Sequence, residues 1–335
     1  MSMNPLAPID WDVPYSQWIL TIVQGQSALR WQPHRSATER WEYVRSENIR
    51  TLVEGLRYFM PLDVIQVDCL SDTQETAWDF TLALEEPCAF FGMFHLVKDA
   101  LDGFQLDWSL HPVDASFPRV KSLVLSDMDS TLLEGECIDE LADFVGRKEE
   151  VSRITTAAMN GLLDFENALT QRVALLKGLP YETVHQVLKS TPRMQGDRTL
   201  MQTMKKQGSF NVLVSGGFTP FTEALCEELG MDTHQANHLA VEEGLFTGQV
   251  CPPILGQDAK LEVLHYYATR LNVPLQATLA LGDGANDLKM IQASGLGVAF
   301  HAKPSVQAQS RCIVRFNDLT ALLYFQGLPQ STWVH

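Results

Sequence analysis

Residues 122–131 read Ser122-Leu123-Val124-Leu125-Ser126-Asp127-Met128-Asp129-Ser130-Thr131. A short, wholly apolar run stops abruptly at two acids spaced two residues apart. The run suits a strand buried on both faces, because no alternation with polar residues marks a solvent side. Working outward, the same grammar recurs. Asn211–Val214 ends at Ser215-Gly216-Gly217, Thr278–Leu281 ends at Gly282-Asp283-Gly284, and Leu296–Phe300 is a fourth run. Between them lie stretches of helical period, such as Ile138–Phe144, Thr199–Gln207, Phe218–Leu229 and Asp258–Leu271. Buried strands alternating with helices predict an α/β, doubly wound parallel sheet. Ligands of such sheets bind beyond the carboxyl ends of the strands, which is where the polar residues fall.

Each polar group has a bland reading and a chemical one. Asp and Ser at a strand end commonly form turns or helix caps. Two carboxylates at Asp127 and Asp129 can also face one centre, one as nucleophile and the other as general acid and base. Ser215-Gly216-Gly217 is a Ser beside a tight turn, or a hydroxyl and N–H groups turned toward an anion. Lys260 reads alone as a surface lysine. Gly282-Asp283-Gly284-Ala285-Asn286-Asp287 combines glycines, two acids and an amide, and Asp127 with Asp283 could hold a hard cation such as Mg²⁺ from adjacent strands. Phosphoryl chemistry needs a nucleophile, a metal, a cation and N–H donors, and the chain offers one of each.

The composition narrows the alternatives. The chain has 335 residues, which predicts roughly two domains, with 45% hydrophobic and 20% charged residues. A net charge of −16 with no basic run disfavours nucleic acid and anionic lipid as partners. No apolar stretch has the roughly 20 residues of a membrane span, and the N-terminus has no signal-peptide pattern. The six scattered cysteines include no CxxC pair, so free thiols and a cytoplasmic setting are expected. Six of the seven tryptophans lie before residue 115, and residues 111–118 carry two prolines, as a linker would. The expected division is an N-terminal α+β domain over 1–115 and an α/β domain over 116–335. In the first, Glu39–Tyr58 reads as helical, while Leu62–Leu70, Trp78–Leu84 and Phe104–Leu110 read as strands.

With these residues in view, the second part resembles the haloacid dehalogenase superfamily of aspartate-nucleophile phosphatases and, within it, the phosphoserine phosphatases. The likeness runs over about residues 118–325 and is densest in SDMDSTLLEGECIDELA, residues 126–142. It implies a HAD-like, Rossmann-type fold with a small helical cap over about 137–195. It implies that Asp127 forms an aspartyl-phosphate and that Asp129 protonates the leaving oxygen, then activates water. Mg²⁺ would be held by Asp127, Asp283 and the Asp129 carbonyl, with Asp287 in support. Ser215, Gly216 and Lys260 would bind the phosphoryl oxygens, with Asn286 orienting them. Glu136 would take the substrate ammonium and Arg172 its carboxylate, with Met159 and Phe165 closing an apolar lid. The expected reaction is hydrolysis of O-phospho-L-serine, the last step of serine biosynthesis.

Two alternatives stay open: another small phosphorylated metabolite, or a signalling receiver that keeps its phospho-aspartate. The N-terminal extension resembles the regulatory ACT-like domains of family members only by position. Feedback sensing, homodimer formation and plain stabilisation all remain available to it.

Overall fold

The computed structural model describes residues 6–24, 55–56, 61–71, 76–101, 104–159, 163–256 and 258–335. Most of the helical expectation at Glu39–Tyr58 therefore lies outside the described residues. Among the described residues, the strands form one eleven-stranded sheet in the order β2-β3-β1-β4-β11-β10-β9-β5-β6-β7-β8.

The functional half is built on β5 (Leu123–Ser126), β6 (Phe210–Phe218), β7 (Thr233–Glu242), β9 (Thr278–Gly282), β10 (Leu296–Phe300) and β11 (Cys312–Val314). These pair in parallel, and β8 (Leu245–Cys251) closes the edge antiparallel to β7. Alternate side chains go to opposite faces. Val124, Leu213, Leu279 and Leu281 join the core under one face, and Leu123, Leu125, Val212, Val214 and Ala280 join the core under the other. Helices cover both, so these strands have no polar side, as their sequences require. The chain leaves β5 in one direction for β6 and β7, and returns on the other side as β9, β10 and β11. The strand order therefore switches between β5 and β9, where a doubly wound sheet opens its crevice.

Among the described residues, the cap region between β5 and β6 holds α2 (Cys137–Phe144), α3 (Lys148–Met159), α4 (Phe165–Ala174) and α5 (Thr183–Ser190). Their apolar faces share one core through Ile138, Leu141, Val151, Leu169, Val173 and Val187. Asp164 caps α4 by accepting from the Asn167 N–H at 2.9 Å.

The N-terminal strands β1 (Pro14–Gln24), β2 (Leu62–Cys69), β3 (Ala77–Ala89) and β4 (Leu106–Pro112) are antiparallel, with α1 (Phe90–Leu101) between β3 and β4. Their core centres on Trp18, Phe80, Phe90 and Met93. The stretch 111–118 is not a free linker: His111 and Phe117 are buried. The reason is that β4 pairs with β11, Trp108 opposite Ile313, so the two halves share a sheet. Beside that pair, the buried Asp107 carboxylate accepts from the N–H groups of Arg315, Phe316 and Asn317 at 2.8, 3.0 and 2.9 Å. Arg119 spans the same seam. Its Nη2 donates to Asp79 Oδ1 at 2.6 Å and to Thr21 Oγ1 at 2.9 Å.

Asp79 is only 5% exposed, so removal of its cation leaves a buried carboxylate with Thr21 as its remaining donor. Arg119→Ala is expected to lower the unfolding free energy by about 3 kcal/mol, read by urea titration of the full chain. A loss below about 0.5 kcal/mol would mean that the seam does not depend on this pair.

Candidate active site

The crevice at the switch point holds the acids. Asp127 follows β5 directly, and its N–H donates to the Leu281 carbonyl of β9 at 3.1 Å. That bond sets it beside the loop that carries Asp283 and Asp287. Carboxylate oxygens of Asp127, Asp283 and Asp287 all lie within 4.8 Å of one another. Lys260, in the first turn of α8 (Ala259–Arg270), reaches in from the side. Its Nζ lies 2.7 Å from Asp127 Oδ1 and 2.5 Å from Asp287 Oδ1. The Met128 N–H also donates to Asp127 Oδ1, at 2.8 Å, and the two donors together fix the carboxylate's rotation. The Gly284 N–H donates to Asp287 Oδ2 at 3.0 Å. This nesting requires Gly282: a Cβ there would lie 2.3 Å from the Asp287 carboxyl carbon.

The electrostatics are unbalanced. Three carboxylates face one buried ammonium, so the cluster is short of positive charge. Burial and then the Asp287 carboxylate push Asp127 well above the usual carboxylate range, against the pull of Lys260. Burial and then Asp287 raise Asp283 to about 6, although Lys303 approaches it to 3.9 Å. Burial pulls Lys260 down, but Asp127 and Asp287 overrule it and hold the ammonium above its ordinary value. An oxygen-rich pocket with excess negative charge is what a hard divalent cation fits.

Asp129 occupies the other side of the crevice. The Cys137 N–H, the first of α2, donates to its Oδ1 at 2.9 Å. Burial and then the Glu136 charge raise its carboxyl to about 7, where it carries a proton for a good part of the time near neutrality. Gly217 leaves it room: a Cβ would meet Asp129 Oδ2 at 2.9 Å and Ser215 Oγ at 3.1 Å. Ser215 is buried, and its Oγ accepts from the Gly217 N–H at 2.9 Å. Ser215, Gly216, Gly256, Lys260 and Asn286 line one cleft.

The cap supplies charges of both signs. Glu136 is exposed at the start of α2 and accepts from Ser130 Oγ at 3.3 Å. Arg172 lies on α4, where its Nε donates to the Ala168 carbonyl at 3.3 Å and its Nη1 to Thr155 Oγ1 at 3.4 Å. Burial lowers its pKa, while Glu136, Asp139 and Asp129 oppose that shift, so Arg172 feels the field of the acids. Met159 ends α3 and Phe165 begins α4. The side chains of both lie outside the described residues. The crevice thus joins Asp127, Asp129, Ser215, Gly216, Lys260, Asp283, Asn286 and Asp287. Lys303 and Asn237 have no signal in the sequence, whereas Gly217 stands in view as the third member of Ser-Gly-Gly.

A doubly wound sheet with an acid pair after its first parallel strand defines a class. The family model for haloacid dehalogenase-like hydrolases matches residues 124–292, and the chain belongs to that family. Within it, the chain is 45% identical over 213 residues to a phosphoserine phosphatase of Streptomyces coelicolor, covering 64% of this chain and 52% of that protein. The chain thus spans about half the length of that curated relative. A crystal structure of a HAD family hydrolase from Salmonella enterica serovar Typhi superposes with a TM-score of 0.76 at 26% identity, covering 92% of this chain and 98% of that one. The likeness therefore runs through the N-terminal sheet as well. A solved phospho-aspartyl intermediate analogue of phosphoserine phosphatase matches with a TM-score of 0.58 at 40% identity, covering 62% of this chain and 99% of that one.

Lys260→Met would leave Asp127 and Asp287 buried without their cation. In metal-free buffer it is expected to lower the unfolding free energy by about 3–5 kcal/mol. Adding Asp127→Asn should restore a large part of that loss, by double-mutant cycle in urea. Strict additivity of the two changes would show that the pair is not coupled.

Proposed function

We propose that this chain is a phosphoserine phosphatase, hydrolysing O-phospho-L-serine to L-serine and phosphate. The observation that carries the reading is the crevice itself. Asp127 is held by Lys260 beside Asp283 and Asp287, and Asp129, with a carboxyl raised to about 7, faces the same space. The 45% identity to a protein of that name supports the substrate.

In this reading Asp127 attacks phosphorus, displaces the serine oxygen and becomes an aspartyl-phosphate. Asp129 gives its proton to the departing oxygen, then takes one from the water that attacks the intermediate. Ser215, the Gly216 N–H, Lys260 and Asn286 bind and orient the phosphoryl oxygens. Asp127, Asp283 and the Asp129 carbonyl would hold Mg²⁺, with Asp287 in support, and the carboxylate excess noted above fits that ion. Bound there, Mg²⁺ would neutralise charge on the phosphoryl group. Glu136 and Arg172, of opposite charge on the cap side, suit the ammonium and carboxylate of phosphoserine. Met159 and Phe165 are assigned to the lid that excludes water.

We place the enzyme in the cytoplasm with no nucleic-acid or membrane partner, and homodimer formation stays open to its N-terminal part. Its six unpaired cysteines suit a reducing compartment. Among the described residues no helix is long and apolar enough to cross a membrane. Residues 1–115 are read as an ACT-like regulatory domain, a reading supported by the strand order β2-β3-β1-β4 with α1 between β3 and β4.

Phosphate release from L-phosphoserine, D-phosphoserine, phosphothreonine and p-nitrophenyl phosphate, with Mg²⁺ and with EDTA, tests the reading. L-Phosphoserine is expected to be preferred, and EDTA to abolish turnover. Release from the aryl phosphate alone would keep the Asp127 chemistry and discard the substrate. Asp127→Asn should reduce kcat by about 10³-fold or more, and Asp129→Asn by about 10²–10⁴-fold. Arg172→Ala should raise KM for phosphoserine about 10- to 100-fold and leave that for p-nitrophenyl phosphate within about twofold. An equal rise for both substrates would remove Arg172 from the carboxylate clamp.

A further inference from the structure

The Ser-Gly-Gly segment interrupts its own sheet. Parallel pairing of β6 with β7 runs to Val214 opposite Gln235 and resumes at Phe218 opposite Asn237. Ser215, Gly216 and Gly217 thus stand across from Ala236 alone, as a bulge. A bulge lifts the backbone toward a ligand and takes its carbonyls off the ladder, so another group must satisfy them. Asn237 does so for Gly216. It is fully buried, and its Nδ2 donates to the Gly216 carbonyl at 2.8 Å. Its Oδ1 accepts from the Leu255 N–H, also at 2.8 Å. Leu255 and Gly256 line the same cleft as Ser215 and Gly216, and lie just before the helix that presents Lys260.

We propose that Asn237 is a positioning residue of the phosphoryl site, which rests on the phosphatase reading above. One amide side chain ties the loop bearing Ser215 and Gly216 to the segment that leads into Lys260. It fixes the distance between the neutral donors and the cation that would grip the same phosphoryl group. Asn suits the task because it carries a donor and an acceptor on one short planar group. An aspartate would keep the bond from Leu255 but set a carboxylate oxygen against the Gly216 carbonyl. An alanine would release both sides. Asn237 touches no reacting atom, so it acts on where the phosphate binders stand.

The test uses the full chain with Mg²⁺ and inorganic phosphate as competitive inhibitor of p-nitrophenyl phosphate hydrolysis. In Asn237→Ala and Asn237→Asp, Ki for phosphate and KM are expected to rise about 10- to 100-fold, with kcat per folded molecule changing less than about threefold. Folded fraction is read by circular dichroism at the assay temperature. Leu255→Pro, which removes that N–H together with the leucine side chain and leaves the Asn237 bond to Gly216 in place, should raise Ki in the same direction by a smaller factor. Unchanged Ki in folded variants overturns the proposal, because a merely structural asparagine lowers the melting temperature and leaves the inhibition constant alone. Failure of all three variants to fold overturns it as well. If the wild type hydrolyses nothing, the phosphatase reading fails separately, and calorimetric titration with phosphate decides Asn237. Weaker binding by the variants then supports the proposal, and equal or absent binding overturns it.

Discussion

The buried contact of Lys260 with Asp127 and Asp287 is the constraint on which the rest of the site depends. Two carboxylates cannot stay ionised side by side away from water unless a cation divides them. Lys260 Nζ lies within 2.7 Å of both acids, and it reaches them from a helix that follows β8, far along the chain from Asp127. Three features must then coincide: β5 must lie against β9, helix α8 must pack against the face beneath them, and Gly282 must give up its side chain to the Asp287 carboxyl. A third acid, Asp283, leaves the cluster still negative. That imbalance is costly for folding, and it suits the divalent cation proposed for the site.

The two sides of the crevice are held by different physics. On the Asp127 side, ionic contacts between buried groups dominate. On the Asp129 side, the first N–H of a helix grips one carboxylate oxygen, while burial and a neighbouring glutamate keep the group near neutrality. Burial raises both acids, and they differ in what opposes it: the Lys260 ammonium at Asp127 and the Cys137 N–H at Asp129.

The N-terminal part is joined to this machinery more tightly than a linker would allow. Its last strand extends the catalytic sheet, and Asp107 stitches the chain just beyond β11 to β4 through backbone donors. The adjoining turn is anchored in its turn, because the Asn317 carbonyl pairs with His301 Nε2 at 2.9 Å just past β10. Residues 111–118 carry the prolines of a connector, and 113–116 are exposed, yet His111, Pro112 and Phe117 are buried at the seam. That anchoring follows from the strand pairing, which no local pattern announces.

The short apolar runs at Leu123–Leu125, Asn211–Val214, Thr278–Leu281 and Leu296–Phe300 were legible because a strand buried on both faces has no choice of residue type. With them came Asp127, Asp129, Ser215, Asp283, Asn286 and Asp287, since polar residues after such runs fall on one rim. Lys260 was legible only in company with the strand-end acids and glycines, and Glu136 and Arg172 mainly through resemblance; alone, the lysine and arginine read as surface charges and the glutamate as a first-turn helix acid. Strands β1, β7, β8 and β11 escaped, the last being only three residues long and β7 half exposed. Asn237 escaped too: a buried asparagine in a strand has no signature until the bulge opposite it is known. The sequence by itself determined the strand-end chemistry, because spacing along one chain decides it. Which acids share a cation, which glycine yields to which carboxylate and which amide bridges two loops were decided only by tertiary structure, because those contacts join residues far apart in the chain and depend on the order of strands in the sheet.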